Sequence, residues 1–297
     1  MFIKRTDLAL ESRELWQESA AKTTKLPGVK AKNSKREGYP TTRVDILNAD
    51  GAAALGKPIG TYLTLDLTGF WARKPGFFER AVHGLGAELK AMLPREGAAL
   101  IVGLGNAAMT PDAVGPQVTE HLLVTRHLLQ SMPKQFAGFR PVSVLRTGVL
   151  GTTGLESAEQ VAAVVEKIQP AFVIVVDALA ARRLARVCAT IQLSDTGLCP
   201  GSGVGNHRAA LDAETLGVPV YAIGVPTVVD GGTLAADLLE EAGVSGFDPA
   251  TLGDGAQLMV TPSAIDGQVR DLSKVIGYAI NWALQDLDIE EINSLLS

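Results

Sequence analysis

At 297 residues, 46% hydrophobic and 20% charged, the chain carries enough apolar material for one large α/β core. A formal charge of -5 runs against nucleic-acid binding, whose electrostatic footprint is basic. Two cysteines, Cys188 and Cys199, do not suggest a disulfide framework, and no run approaches about 18 consecutive apolar residues, so no membrane-spanning helix is expected. The opening MFIKRTDLALESRELW lacks the long apolar segment of a secretory signal, so the expectation is a reduced, cytoplasmic protein.

In chain order, SAAKTTKLPGVKAKNSKREGYP (19–40) is polar, lysine-rich and broken by Pro and Gly, and reads as a solvated arm. Beyond it, apolar runs with β character alternate with amphipathic stretches. The runs are TYLTLDLTG (61–69), AALIVGLG (98–105), VSVLRTGVL (142–150), AFVIVVDAL (171–179) and PVYAIGVPTVV (219–229). The stretches PGFFERAVHGLGAELKAML, PDAVGPQVTEHLLVTRHLL, SAEQVAAVVEKI and SKVIGYAINWALQDL read as helices. Strands apolar on both faces and separated by helices predict a single α/β domain. Its central sheet is expected to be mostly parallel and flanked by helices on both faces. In such folds ligands collect beyond the carboxyl ends of the strands.

The segment IVGLGNAAMTPDAVGPQV (101–118) satisfies a relaxed dinucleotide fingerprint through Gly103, Gly105 and Ala108. A pyrophosphate would meet the carboxylate of Asp112 there, however. The following strand ends in Arg146 and Thr147, where a ribose-binding site needs an acid. With Thr110 as cap and Pro111 as first helical residue, Asp112 becomes a first-turn acid facing the end of a strand. A second acid, Asp177, ends the apolar run AFVIVV, where it is expected to cap a helix through ALAARRLAR. Two carboxylates at neighbouring strand ends can share one proton, one acting as base toward water and the other as acid. Together with a histidine they could instead hold a divalent metal.

Of the four histidines, His83, His121, His127 and His207, none forms an HxxxH or HExxH pair, and His207 alone lies in a loop suited to a site. That loop, CPGSGVGNHRAAL (199–211), offers backbone N–H groups at Gly203 and Gly205 for gripping a substrate. It contains no GxSxG elbow, so a serine nucleophile is poorly supported.

Seven segments in order, RTDLALE (5–11), VGLGNAAMTPDAVGP (102–116), RTGVLGTTGLES (146–157), VVDALAARR (175–183), GSGVGNHR (201–208), YAIGVPTVVD (221–230) and MVTPSAID (259–266), resemble the germination proteases of endospore-forming bacteria. The resemblance covers nearly the whole chain. It implies a fold similar to hydrogenase-maturation proteases and an aspartic endopeptidase whose essential acids are Asp112 and Asp177. No cofactor is implied, although metal coordination by two carboxylates and His207 stays open. The implied substrates are small acid-soluble spore proteins of the spore core, bound as peptide with no direct nucleic-acid or membrane partner. The implied assembly is a homotetramer. The resemblance further implies a zymogen that removes its own N-terminal segment, by cleaving after Glu or Asp and before a hydrophobic residue. Asp7–Leu8 fits that rule, making residues 1–7 a propeptide and 8–297 the peptidase domain. The family pattern also expects an acid four residues before the bond, where this chain has Lys4. Arg182, Arg183, Gly203, Gly205 and His207 are candidate substrate-binding residues. The alternatives are a metal-dependent maturation-type endopeptidase and a non-enzymatic nucleotide-binding module.

Overall fold

The structure is a computed structural model that describes residues 4–19, 26–201, 208–244, 251–253, 255 and 258–297. Among the described residues nine strands form one sheet: β1 (Val29–Arg36), β2 (Tyr39–Ile46), β3 (Gly60–Asp66), β4 (Ala99–Leu104), β5 (Val142–Gly148), β6 (Phe172–Ala181), β7 (Thr190–Ser194), β8 (Val220–Asp230) and β9 (Met259–Val260). Their spatial order is β1-β2-β3-β7-β8-β6-β4-β5, with β9 added to β8.

The single α/β domain agrees with the sequence reading, but the parallel character is local. The block β5-β4-β6-β8 is parallel, whereas β7, β3, β2 and β1 continue it antiparallel. The apolar runs account for the parallel block: β4 is buried at every position, and β6 is buried except at Ala178 and Leu179. Alternate residues serve opposite faces. Ile101 and Ile174 pack under the Phe77–Met92 and Ile265–Gln285 helices, with Leu85, Leu89, Ile276 and Ile280. Leu100, Val102, Val173 and Val175 face the Ser157–Ile168 helix through Val161 and Val165. No helix among the described residues is long and apolar enough to cross a membrane.

Three local expectations are corrected. The polar arm is structured where it is described: after the Ala9–Ser19 helix, and with residues 20–25 outside the described residues, β1 pairs with β2 through a two-residue turn at Glu37 and Gly38, both with positive φ. Its lysine-rich β1 is the exposed edge of the sheet, where charge discourages further strand pairing. The long helix expected after Asp112 is broken into a 3-10 turn at Thr110–Asp112, a short helix at Val114–Val118, a 3-10 turn at Thr119–His121 and a helix at Arg126–Ser131. The short helix packs closely on the sheet, since a Cβ on Gly115 would fall 2.3 Å from the Leu104 carbonyl oxygen and 2.6 Å from that of Val176. Finally, ALAA after Asp177 is strand, because β8 pairs with β6 as far as Ala181.

Candidate active site

Asp112 owes its position to the glycine turn. After β4 the chain passes through Gly105 at φ +107°, where a Cβ would lie 2.0 Å from the Asp112 carbonyl oxygen. Such close approach is open to glycine alone. The loop then closes on itself: Asn106 N–H donates to Asp112 Oδ2 (2.8 Å), and Asp112 N–H donates to the Met109 carbonyl (2.8 Å). Met109 rather than Thr110 occupies the cap position; Asp112 is the first-turn acid expected, and its carboxylate turns back to the Asn106 N–H after β4. The turn that resembles a phosphate loop is therefore filled by a carboxylate.

A second element pins this loop. The β6–β8 register skips Thr227, passing from Leu179↔Pro226 to Ala180↔Val228, so the buried threonine sits at a bulge. Its hydroxyl donates to the Pro111 carbonyl at 2.6 Å. Sequence reading missed Thr227, whose only signal is its place at the end of an apolar run.

Asp177 sits inside β6 and not at its end. The β4–β6 pairing stops at Gly103↔Val176, so Asp177 is the first β6 residue beyond β4, level with the turn that carries Asp112. Its Oδ1 accepts from the Ala178 N–H at 2.9 Å. Both aspartates line one cavity of about 580 Å³, together with Asp7, Met109, Cys199, Arg208 and Thr227.

The two carboxyls feel unequal fields. Burial pushes Asp177 well above the ordinary carboxylate range, and the charges of Asp112 and Asp7 push the same way, against the Ala178 N–H and Arg208. Asp112 is half-buried and also raised by burial, but the Asn106 N–H and Arg208 oppose the shift. Burial and neighbouring charge thus favour the protonated form more at Asp177 than at Asp112, whose shift is opposed by a backbone N–H and by Arg208. Such a pair can deprotonate a water and protonate a carbonyl at once.

Arg182 and Arg183 are not brought to this cavity. Arg182 is buried with Nε on both oxygens of Asp237 (3.0 and 2.9 Å) and Nη1 2.7 Å from Glu18. Arg183 pairs with Glu18 at 3.2 Å, and the backbone N–H groups of both arginines donate to buried Glu11. They fasten the N-terminal helix to the sheet. Among the described residues the cation that does line the cavity is Arg208, at the end of the segment GSGVGNHR. Gly203, Gly205 and His207 lie outside the described residues. Among the described residues no group of three or more His, Cys, Asp or Glu side chains is placed to hold a metal ion.

The N-terminal segment runs into the site. Lys4 pairs with Asp237 (2.5 Å) and Glu240 (2.6 Å), and the Arg5 N–H donates to Thr233 Oγ1. Asp7 then lies along β6: its N–H donates to the Ala180 carbonyl and its Oδ2 accepts from the Ala180 N–H, both at 2.9 Å. Gln192 spans the next peptide, donating to the Asp7 carbonyl (3.2 Å) and accepting from the Ala9 N–H (2.8 Å). Leu8 is wholly buried.

Residues 9–241 match the family profile of the germination protease. The germination protease of Clostridium perfringens is 42% identical across the full length of both chains. That of Caldanaerobacter subterraneus is also 42% identical, over 98% of each chain. That of Bacillus cereus is 46% identical over 80% of this chain and 66% of its own. Among solved structures, the [NiFe] hydrogenase maturation protease HycI of Thermococcus kodakarensis aligns with 65% of this chain and 99% of its own, at 17% identity and a TM-score of 0.36.

Proposed function

The chain belongs to the germination protease family, and from that membership we propose that it is an aspartic-type endopeptidase in which Asp112 and Asp177 activate water. The observation that carries the reading is the pair itself: Asp112 and Asp177 line one cavity, where burial and the charge of Asp112 push Asp177 toward its protonated form. Asp112 takes a proton from water as the water oxygen adds to the scissile carbonyl carbon. Asp177 gives its proton to the carbonyl oxygen, forming a neutral diol. When the C–N bond breaks, the amine takes the proton from Asp112 and a diol hydroxyl returns one to Asp177. Both carboxyls end as they began.

The substrates in this reading are small acid-soluble spore proteins of the spore core, cut after Glu or Asp and before a hydrophobic residue, by a homotetramer made as a zymogen. Docking of the N-terminal segment supports Asp7–Leu8 as the self-processing bond, since Asp7 lines the cavity and Gln192 fixes the peptide on both sides of the bond. It also accounts for Lys4, where the family pattern expects an acid: the side chain meets two carboxylates, Asp237 and Glu240. The test is to incubate the full chain with a small acid-soluble spore protein, with and without EDTA, and map the products by mass. The expected result is cleavage on the carboxyl side of Glu or Asp, unchanged by chelator. Chelator-sensitive cleavage would move the chemistry to a metal, and cleavage after other residues would refute the specificity.

A further inference from the structure

Beside the catalytic cavity lies a second, of about 270 Å³, that shares Asp7, Leu179 and Cys199 with it. Its remaining polar wall includes Lys57, Tyr62, Gln192, Ser194 and Thr196. Lys57 is placed there by the Ala49–Leu55 helix, which ends at Gly56 in the left-handed conformation, with the Lys57 N–H returning to the Ala52 carbonyl. We propose that this cavity is the subsite for the acidic side chain preceding the scissile bond, with Lys57 as its specificity-determining cation.

Three observations carry the assignment, which rests on the cleavage rule proposed above. First, the residue wedged between the two cavities is itself an acid: Asp7 lines both, held by Ala180 along β6 and by Gln192 at its carbonyl. The chain thus displays an acidic residue where a substrate's would sit, in a fixed register. Second, the other basic side chains nearby are committed elsewhere. Arg182 and Arg183 pair with Asp237, Glu14 and Glu18, and Arg208 lines the first cavity, with the two catalytic carboxyls, and not this one. Third, Lys57 is in an environment that makes an incoming anion welcome. Burial lowers its pKa, and the charge that most opposes this is that of Asp7, followed by Cys199. An ammonium withdrawn from water is costly unless an anion faces it. When a substrate replaces the N-terminal segment, its own carboxylate supplies that anion.

The test uses the full chain, first left to process itself, and three peptides copying residues 1–14 with Asp, Asn or Lys at position 7. The wild type is expected to cleave the Asp peptide about 10- to 100-fold better than the Asn peptide in kcat/KM, as expected for one charge-assisted contact. Lys57→Gln should bring that ratio within about threefold, chiefly by lowering kcat/KM on the Asp peptide. Lys57→Glu should prefer the Lys peptide, an inversion that an unfolded variant cannot give. If Lys57→Gln keeps the wild-type preference, the assignment is overturned while the cleavage rule stands. If it loses all three peptides alike and Lys57→Glu is not rescued by the Lys peptide, Lys57 is structural and the assignment is likewise overturned. If the wild type is indifferent to position 7, or cleaves none of the peptides, the cleavage rule itself fails and takes the assignment with it.

Discussion

Replacing Gly105 by alanine tests whether the glycine turn exists to aim Asp112. Two costs follow from the structure. At φ +107° an L-residue is strained, which costs about 1–3 kcal/mol, or about 2–4 °C of melting temperature per kcal/mol for a domain slightly smaller than this one. The added Cβ would also stand 2.0 Å from the Asp112 carbonyl oxygen. Relieving that contact opens the loop by about 1 Å, and a displacement of that size at a reacting group lowers rate about 100-fold. Gly217→Ala is the control, since Gly217 also has positive φ (+70°) but no atom within 4 Å of a new Cβ. Melting temperatures and kcat/KM on one peptide should show both variants destabilised and only Gly105→Ala slowed. Wild-type activity in Gly105→Ala, or an equal rate loss in Gly217→Ala, would refute the reasoning.

Thr227→Val leaves the Pro111 carbonyl without its donor, at a cost of about 1–3 kcal/mol, and should lower kcat more than it raises KM. Thr227→Ser should restore the rate, and failure to do so would assign the residue to packing alone. Asp177→Asn is expected to stabilise the fold. The folded pKa of Asp177 is raised, so its contribution to stability is full below the ordinary carboxylate range and is lost as pH rises through the folded value. The gain in melting temperature over wild type should therefore grow from pH 4 to pH 8, and a constant difference would contradict the shift. Arg182→Met strips one of two cationic partners from Asp237, leaving Lys4, at a site where the arginine side chain is 3% exposed, and should cost about 1.5–3 kcal/mol. Its preference for Asp over Asn before the bond should be unchanged. A changed preference without lost stability would return Arg182 to the substrate.

The parallel block and the two aspartates were legible because their signals are local. LIVGLG and FVIVV are too apolar for a half-exposed strand, and a carboxylate where a phosphate loop should be is visible without coordinates of any neighbour. The N-terminal region was not legible, because its helix has little apolar face of its own. It is held by charge: buried Glu11 accepts from Thr6 and from the backbone of Arg182 and Arg183, and Glu14 grips Arg186, partners about 170 residues away. ALAARR suggested a helix by composition, but pairing with β8 overrides that preference. Lys57, Gln192, Arg208 and Thr227 come from four separate segments, and only the folded sheet brings them to the aspartates or to Asp7. The glycines of the opening motif were read correctly as a turn. Their geometry shows the reason: the space that a side chain would need is taken by the loop that holds Asp112.

The most direct test of the paired-acid mechanism is kcat on one peptide for Asp112→Asn, Asp177→Asn and the double variant. Groups that act as a unit are not additive, so each single change should cost at least about 1,000-fold and the double variant little more than the worse single one. A single variant within about tenfold of wild type, or two losses that multiply in the double variant, would contradict a shared role for the two aspartates.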